Sequence, residues 1–286
     1  MDDETFAITL LVLMDEWYQR EGAQMVASRP GPKPQCTDTE ILVLSLLRLL
    51  IMPGCSERRF LRWMRANHPD WFPDLPDDGN FNRRARSLLP LLNASLRHLT
   101  ADVDTLVALL DTSGLSVVKL ARATRRRLFR EDDVFPARRG FSVTTKAVYY
   151  GYKLVLLCTM EGLPFRLALV PADLSDQEIA EWMLEHEVPG WRLADKGFWS
   201  QELIERLKAR GQYLLIPPKQ NSPRRWDKAF WRTFNRVRRR IETTLSVLKG
   251  YFLLEFHRAR TFGGLAWRAL LTIIAFLVRR RYALGI

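Results

Sequence analysis

Three carboxylates stand where a carboxylate needs a reason. Asp111 follows directly on the apolar run Leu106 to Leu110, which sets a charge at the end of a buried strand, where it is costly unless paired or bound to a cation. Asp195 repeats that situation after Trp191-Arg192-Leu193-Ala194 and precedes Lys196-Gly197-Phe198. Glu242 is the one acid between Asp227 and Glu255 and lies in a run of arginines. On a helix, Arg238, Glu242 and Lys249 fall within about 60° of one another, and Asn235 joins them. Val237, Ile241, Leu245 and Leu248 form an adjoining apolar stripe that seats such a helix on a sheet. Taken alone, Arg238 and Glu242 read equally as an ordinary surface pair one turn apart.

Taken together, two strand-end aspartates and a helical glutamate can surround a pair of divalent ions, whose hard charge prefers carboxylate oxygens. Two such ions, about 3.5 to 4 Å apart, activate the attacking oxygen and stabilise the leaving one in an in-line phosphoryl displacement. No Ser-His-Asp arrangement and no GxxxxGK[ST] or GxGxxG loop competes. His68, His98, His186 and His257 are dispersed without zinc-site spacing. Cys36, Cys55 and Cys158 are odd in number and widely spaced, so they read as reduced thiols rather than a disulfide framework.

The elements that must position these acids change character along the chain. Residues 5 to 100 read as helical. Thr37-Asp38-Thr39-Glu40 has the form of a capping box ahead of Ile41 to Ile51. Met52-Pro53-Gly54-Cys55 breaks that helix, and Ser56 caps another that ends near His68-Pro69. A third helix carries Phe81, Arg83, Arg84 and Arg86 toward Leu99. Helix, tight turn and helix outline a helix-turn-helix, and equally a plain helical packing domain. After Thr100 come strand-like runs at Leu106 to Leu110 and Leu115 to Leu120. An extended basic loop from Ala121 to Gly140 follows, with Arg125, Arg126 and Arg127 at its centre. A hairpin of Ala147 to Thr159 and Pro164 to Pro171 turns at Glu161-Gly162. The order then alternates: helix Asp176 to His186, strand Trp191 to Ala194, helix Gln201 to Arg210, strand Gln212 to Ile216, and a basic helix from about Lys228 to Lys249. Adjacent strands followed by alternating helix and strand predict an α/β fold with a mixed sheet.

Charge names the partner class. The 286 residues carry a net charge of +12, with 44 Lys and Arg against 32 Asp and Glu. Fifteen of those cations and three acids fall between Ser222 and Ile286, so the last 65 residues hold the whole excess. A segment this basic, interleaved with Trp, Phe and Leu, meets nucleic acid more often than it serves only as a solvated face. The acidic start Met1-Asp2-Asp3-Glu4 is unlike a secretory leader, and the apolar run Ala269 to Val278 is too short to span a bilayer. The expectation is a soluble, cytosolic protein with no membrane partner.

Three strings then resemble the catalytic blocks of DDE transposases from bacterial insertion sequences. They are Leu110-Asp111-Thr112-Ser113-Gly114, Ala194-Asp195-Lys196-Gly197-Phe198, and Arg238-x3-Glu242-x6-Lys249. The third is similar to that family's Tyr-x2-Arg-x3-Glu-x6-Lys signature, with Asn235 at its first position. Further matches are Tyr149-Tyr150-Gly151-Tyr152-Lys153-Leu154, Pro171-Ala172-Asp173-Leu174-Ser175-Asp176 and Arg258-x-Arg260. The resemblance covers about residues 105 to 280. It implies a ribonuclease-H-like core in residues 101 to 286, with basic C-terminal helices, preceded by a helix-turn-helix-like DNA-binding domain in residues 1 to 100. Only 47 residues separate Asp195 from Glu242, so no large insertion domain interrupts the core.

The resemblance further implies that Asp111, Asp195 and Glu242 ligate two Mg²⁺ ions, with Mn²⁺ as a substitute. Arg238 and Lys249 would contact DNA phosphates near the scissile position. Arg83, Arg84, Arg125, Arg126, Arg127, Arg258 and Arg260 would supply further DNA contacts. The activity implied is binding of terminal inverted repeats, cleavage at the 3′ ends and joining to target DNA, by at least a homodimer. The rival readings are a ribonuclease-H-like nuclease without strand transfer, and a DNA-binding protein with a silent core.

Overall fold

The computed structural model describes residues 3–27, 31–123, 129, 135–142, 146–185, 187–218 and 226–281. The chain divides into two compact units. One is helical and comprises Met1–Ala101, Leu248–Ala259 and Gly263–Ile286; the other is α/β and comprises Asp102–Val247 and Arg260–Phe262.

The helical unit is built on α3 (Asp38–Ile51). Every residue from Ile41 to Leu50 is buried, and a helix apolar around its whole circumference must be wrapped by others. It begins as its sequence dictates: Thr37 Oγ1 accepts the Glu40 N–H at 3.1 Å, and the Glu40 carboxylate accepts the Thr37 N–H, closing the capping box. Helix α1 (Asp3–Trp17) packs on it, burying Leu10, Met14 and Trp17. A π-helical turn (Tyr18–Gly22) and the short α2 (Ala23–Met25) continue α1. Ser56 caps α4 (Glu57–Asn67) through the Arg59 N–H at 3.3 Å.

Where one helix was expected to run to Leu99 there are two, α5 (Asp78–Ser87) and α6 (Leu89–Leu99). Pro90 explains the break: without an N–H it fits the first turn of a new helix and not the interior of an old one.

Among the described residues, α7 to α9 and the strands belong to the other unit up to Val247, and α10 (Phe262–Arg281) returns to the helical one. This differs from the expected division, which left the C-terminal helices with the catalytic core. By length and hydropathy α10 passes for a membrane span, a stretch twice as long as the run Ala269 to Val278, yet 78% of that window is buried inside the protein. It is a core helix, with Trp267, Leu271 and Ile274 fully enclosed.

The α/β unit holds a six-stranded mixed sheet in the order β2-β3-β1-β5-β6, with β4 also on β3. Its strands are β1 (Val107–Val118), β2 (Arg138–Ser142), β3 (Ala147–Thr159), β4 (Pro164–Pro171), β5 (Gly190–Leu193) and β6 (Gln212–Leu215). The β3–β4 hairpin turns at Gly162, whose φ of +82° lies in the left-handed region that glycine adopts without strain. β1 runs antiparallel to β3 and parallel to β5, and β5 runs parallel to β6.

Two expectations are corrected here. Leu106–Leu110 and Leu115–Leu120 are not separate strands but one, β1, because the β3 ladder carries hydrogen bonding straight through the polar stretch from Asp111 to Gly114. The basic loop from Ala121 to Gly140 ends in strand β2, paired to the start of β3, with Arg138 opposite Gly151; Arg125, Arg126 and Arg127 lie outside the described residues.

One face of the sheet carries α7 (Asp176–Leu184) and α8 (Gln201–Ala209). Ala108 and Leu110 of β1 share a core there with Val155, Leu157, Ile179, Leu184, Leu203 and Leu207. Alternation along a strand sends Leu109 and Asp111 to the opposite face, on the side of α9 (Lys228–Gly250), whose apolar residues Phe234, Val237, Ile241 and Leu245 are buried. Thr244 Oγ1 of α9 donates to the Gly162 carbonyl at 2.7 Å, and Arg240 donates to the Met160 carbonyl at 2.6 Å, which fixes the helix against the hairpin turn.

Candidate active site

Asp111 sits inside β1, opposite Leu156 of β3, not at a strand end. Its Oδ1 accepts its neighbour Thr112's N–H at 2.8 Å. Asp195 lies two residues past β5, where its Oδ1 accepts the Lys196 N–H at 2.7 Å and caps the 3₁₀ turn Lys196–Phe198. Glu242 lies on the exposed edge of α9. From the same helix, Arg238 reaches over: Nη1 is 4.0 Å from Asp111 Oδ2, and Nη2 pairs with Glu242 Oε1. The arginine is largely covered, with 17% of its side chain exposed, so its charge is committed inside the site.

The charges of Asp195 and Glu242 both reach Asp111. The Asp111 carboxyl is pushed up to about 6, first by burial and further by the negative charges of Asp195 and Glu242, against the Thr112 N–H and Arg238, which favour its ionised form. Three carboxylates and one guanidinium leave the site net negative. Among the described residues no three acid, His or Cys side chains form a ready-made metal cluster. The donors are nevertheless of the right kind for divalent cations, being hard carboxylate oxygens.

On the opposite face of the sheet, contacts to Asp176 brace the residues next to Asp111 and Asp195. Lys153 of β3 donates to Asp176 Oδ1 at 3.0 Å and to the Leu174 carbonyl at 2.7 Å, and Thr112 Oγ1 donates to the same Asp176 oxygen at 3.3 Å. Gly197 lies against the other oxygen: a Cβ at position 197 would stand 2.8 Å from Asp176 Oδ2. One carboxylate at the start of α7 therefore ties down the residue after Asp111 and the turn after Asp195. Sequence reading matched Lys153 and Asp176 to family strings without giving them a role. The available signal was Lys153, a lone cation within the apolar run of β3.

The expected DNA-contacting residues separate into groups. Arg83 is exposed and donates only locally, to Asn80 Oδ1 at 2.8 Å. Arg84 turns inward: its guanidinium meets Asp38 Oδ1 at 2.9 Å and the Cys36 carbonyl at 2.6 Å, with the Asp38 side chain 5% exposed. In this structure a desolvated carboxylate on α3 thus holds the Arg84 charge. Lys249, in the helical unit, pairs with Glu255 at 2.8 Å. Arg258 and Arg260 are exposed. Lys228, Arg232, Arg236 and Arg239 add exposed cations along α9.

Set beside known proteins, residues 105–278 match the sequence profile of a family described as a transposase DDE domain. No curated protein matches the chain.

Proposed function

Because this chain belongs to the DDE transposase family, we propose that it binds the ends of a DNA element, cleaves at the 3′ ends and joins those ends to target DNA. The observation that supports this reading is Arg238 of α9, which lies 4.0 Å from Asp111 Oδ2 and pairs with Glu242, so that the strand acid and the helix acid share one guanidinium. The mixed sheet, with its first aspartate on the first strand, its second after β5 and its glutamate on a following helix, fits a ribonuclease-H-like core.

Asp111, Asp195 and Glu242 would hold two divalent cations, Mg²⁺ or Mn²⁺. Such cations, when bound, supply Lewis acidity toward a phosphodiester and lower the pKa of water. The chain's own groups do the rest. Arg238 neutralises Asp111 and Glu242 in this structure; giving up both carboxylates frees its guanidinium for a phosphate oxygen, which it matches in geometry. The exposed cations of α9, with Arg83, Arg125, Arg126, Arg127, Lys249, Arg258 and Arg260, would hold the backbone without reading sequence. Residues 37 to 99 would present the end-recognising surface, and bringing two ends together calls for at least a dimer. Held after cutting, a 3′-hydroxyl gains the proximity that a second displacement needs.

The test uses pre-cleaved oligonucleotide ends taken from the inverted repeats flanking the gene, a supercoiled plasmid target and Mg²⁺. Joined product with authentic ends, lost in Asp111→Asn, Asp195→Asn and Glu242→Gln while DNA binding persists, is the expected result. Hydrolysis without joining would replace this reading by that of a nuclease.

A further inference from the structure

The helical unit contains a group of arginines that the proposed chemistry does not use. Arg48 of α3 and Arg268 of α10 are 7% and 6% exposed. Arg48 Nη1 donates to the Cys55 carbonyl at 3.0 Å, and Arg268 Nη2 donates to the Phe252 carbonyl at 2.6 Å. Their remaining capacity is unspent: Arg48 Nε, Arg268 Nε and Arg268 Nη1 are buried and meet no acceptor among the described residues, and the buried Arg86 Nη1 has an ion pair with Glu57 at 3.6 Å but no hydrogen bond. Unmet donors on a buried cation are among the costliest polar groups a protein carries.

The charges also crowd one another. Arg268 is brought down to about 9, first by burial, then by repulsion from Arg48, with Arg258 adding to it. Arg48 is lowered likewise by burial, and by Arg86 and Arg258. The acid that both feel is Glu57, and it is already engaged: Arg86 Nη1 lies 3.6 Å from its Oε1, and Asn82 Nδ2 donates to its Oε2. Three guanidinium groups thus draw on the charge of one carboxylate, and Arg258 adds a fourth positive charge that repels Arg48 and Arg268. Arg258, the exposed member, adopts a left-handed φ of +54°, which a non-glycine residue holds only when its surroundings impose it.

We infer that Arg48, Arg86, Arg258 and Arg268 form a binding site for a tetrahedral oxyanion of phosphate type. Such an anion offers several acceptors to guanidinium forks aimed from different helices and supplies the negative charge that Glu57 alone does not. Free phosphate and a DNA backbone phosphate share that chemistry. The site lies within the helical unit and does not depend on the catalytic acids.

The experiment is thermal unfolding of the full chain at constant ionic strength, sodium phosphate replacing sodium chloride, with ³¹P NMR linewidths of inorganic phosphate in parallel. A saturable rise in Tm at low millimolar phosphate, together with line broadening, is expected for the wild type. Arg258→Gln, exposed and therefore safe for folding, should weaken it at least tenfold, and Arg268→Gln should abolish it. A parallel arm with a short duplex in place of phosphate separates the sources. A duplex-induced rise that Arg268→Gln cancels, with no response to free phosphate, makes the anion a DNA phosphate. Responses to phosphate and duplex that persist undiminished in both variants, or no response at all, would overturn the site. These readouts involve no DNA cleavage, so their failure leaves the transposase reading standing, and the converse also holds.

Discussion

Arg238 Nη1 lies 4.0 Å from Asp111 Oδ2, so a cation carried by α9 faces an acid carried by the central strand, and the same guanidinium pairs with Glu242. A positive group thus stands between two of the carboxylates that would hold metal, and its removal has two opposed consequences. Arg238→Ala should bind Mn²⁺ several-fold more tightly, because a competing charge is gone. The same variant should join pre-cut ends about ten- to a hundredfold more slowly, as expected for a lost charged contact of about 1.5 to 3 kcal/mol. Titration of Mn²⁺ by electron paramagnetic resonance and a joining assay read the two separately; metal affinity that falls with the joining rate would mean that Arg238 helps to hold the carboxylates in place.

Asp111 makes stability pH-dependent. Its carboxyl is raised to about 6 from an ordinary 3.8, so the folded protein binds a proton more readily than the unfolded chain between those values. Stability contributed by the protonated form is therefore lost as pH rises from about 4 to about 6, by up to about 3 kcal/mol. Asp111→Asn should lack that decline and be more stable than wild type at pH 7.5 in chelator. Melting curves in chelator across pH 4 to 8 check this, and parallel profiles for the two proteins would contradict it.

Gly197 has no room for a side chain. Gly197→Ala would set a methyl 2.8 Å from Asp176 Oδ2 and should cost about 1 to 3 kcal/mol by overpacking, while displacing the turn that Asp195 caps. Asp176→Asn keeps the shape but weakens the charged bond to Lys153. In Asp176→Asn, cleavage should fall with a raised Mg²⁺ requirement, while DNA affinity stays within about twofold. An unchanged Mg²⁺ requirement would confine Asp176 to a purely structural role.

Neighbouring arginines of α5 should respond in opposite ways. Arg84→Ala takes the cation from the buried Asp38 carboxylate, which keeps the Tyr18 hydroxyl at 3.3 Å, and a donor from the Cys36 carbonyl, and should destabilise the protein by about 3 kcal/mol. Arg83→Ala should leave Tm within about a degree. If Arg83 meets a phosphate, its loss lowers DNA affinity and reduces the salt slope by about 0.9. Denaturation curves and binding measured from 50 to 200 mM salt distinguish the pair.

What the sequence determined by itself is local. Thr37 with Glu40, Ser56 with Arg59, and the hairpin around Gly162 are read from residues within four positions of each other, where backbone geometry leaves few alternatives. The shared face of Arg238 and Glu242 is legible for the same reason, since helical phase follows from spacing. The ordered blocks around Asp111, Asp195 and Glu242 are legible as strings too, within the residues 105–278 that match the transposase family. Choices between distant partners were settled only by the folded chain. Periodicity ends a strand at Leu110, but the β3 ladder supplies hydrogen bonds through Asp111, Thr112, Ser113 and Gly114, so β1 continues. Arg83 and Arg84 look alike in sequence; the fold turns one outward and gives the other Asp38. Arg48 and Arg268 lie in apolar runs that announce only burial; that both feel Glu57 and repel each other is decided by the fold of the helical unit that holds all three. A side chain's charge is written in the sequence, but its partner depends on which element tertiary packing brings within reach.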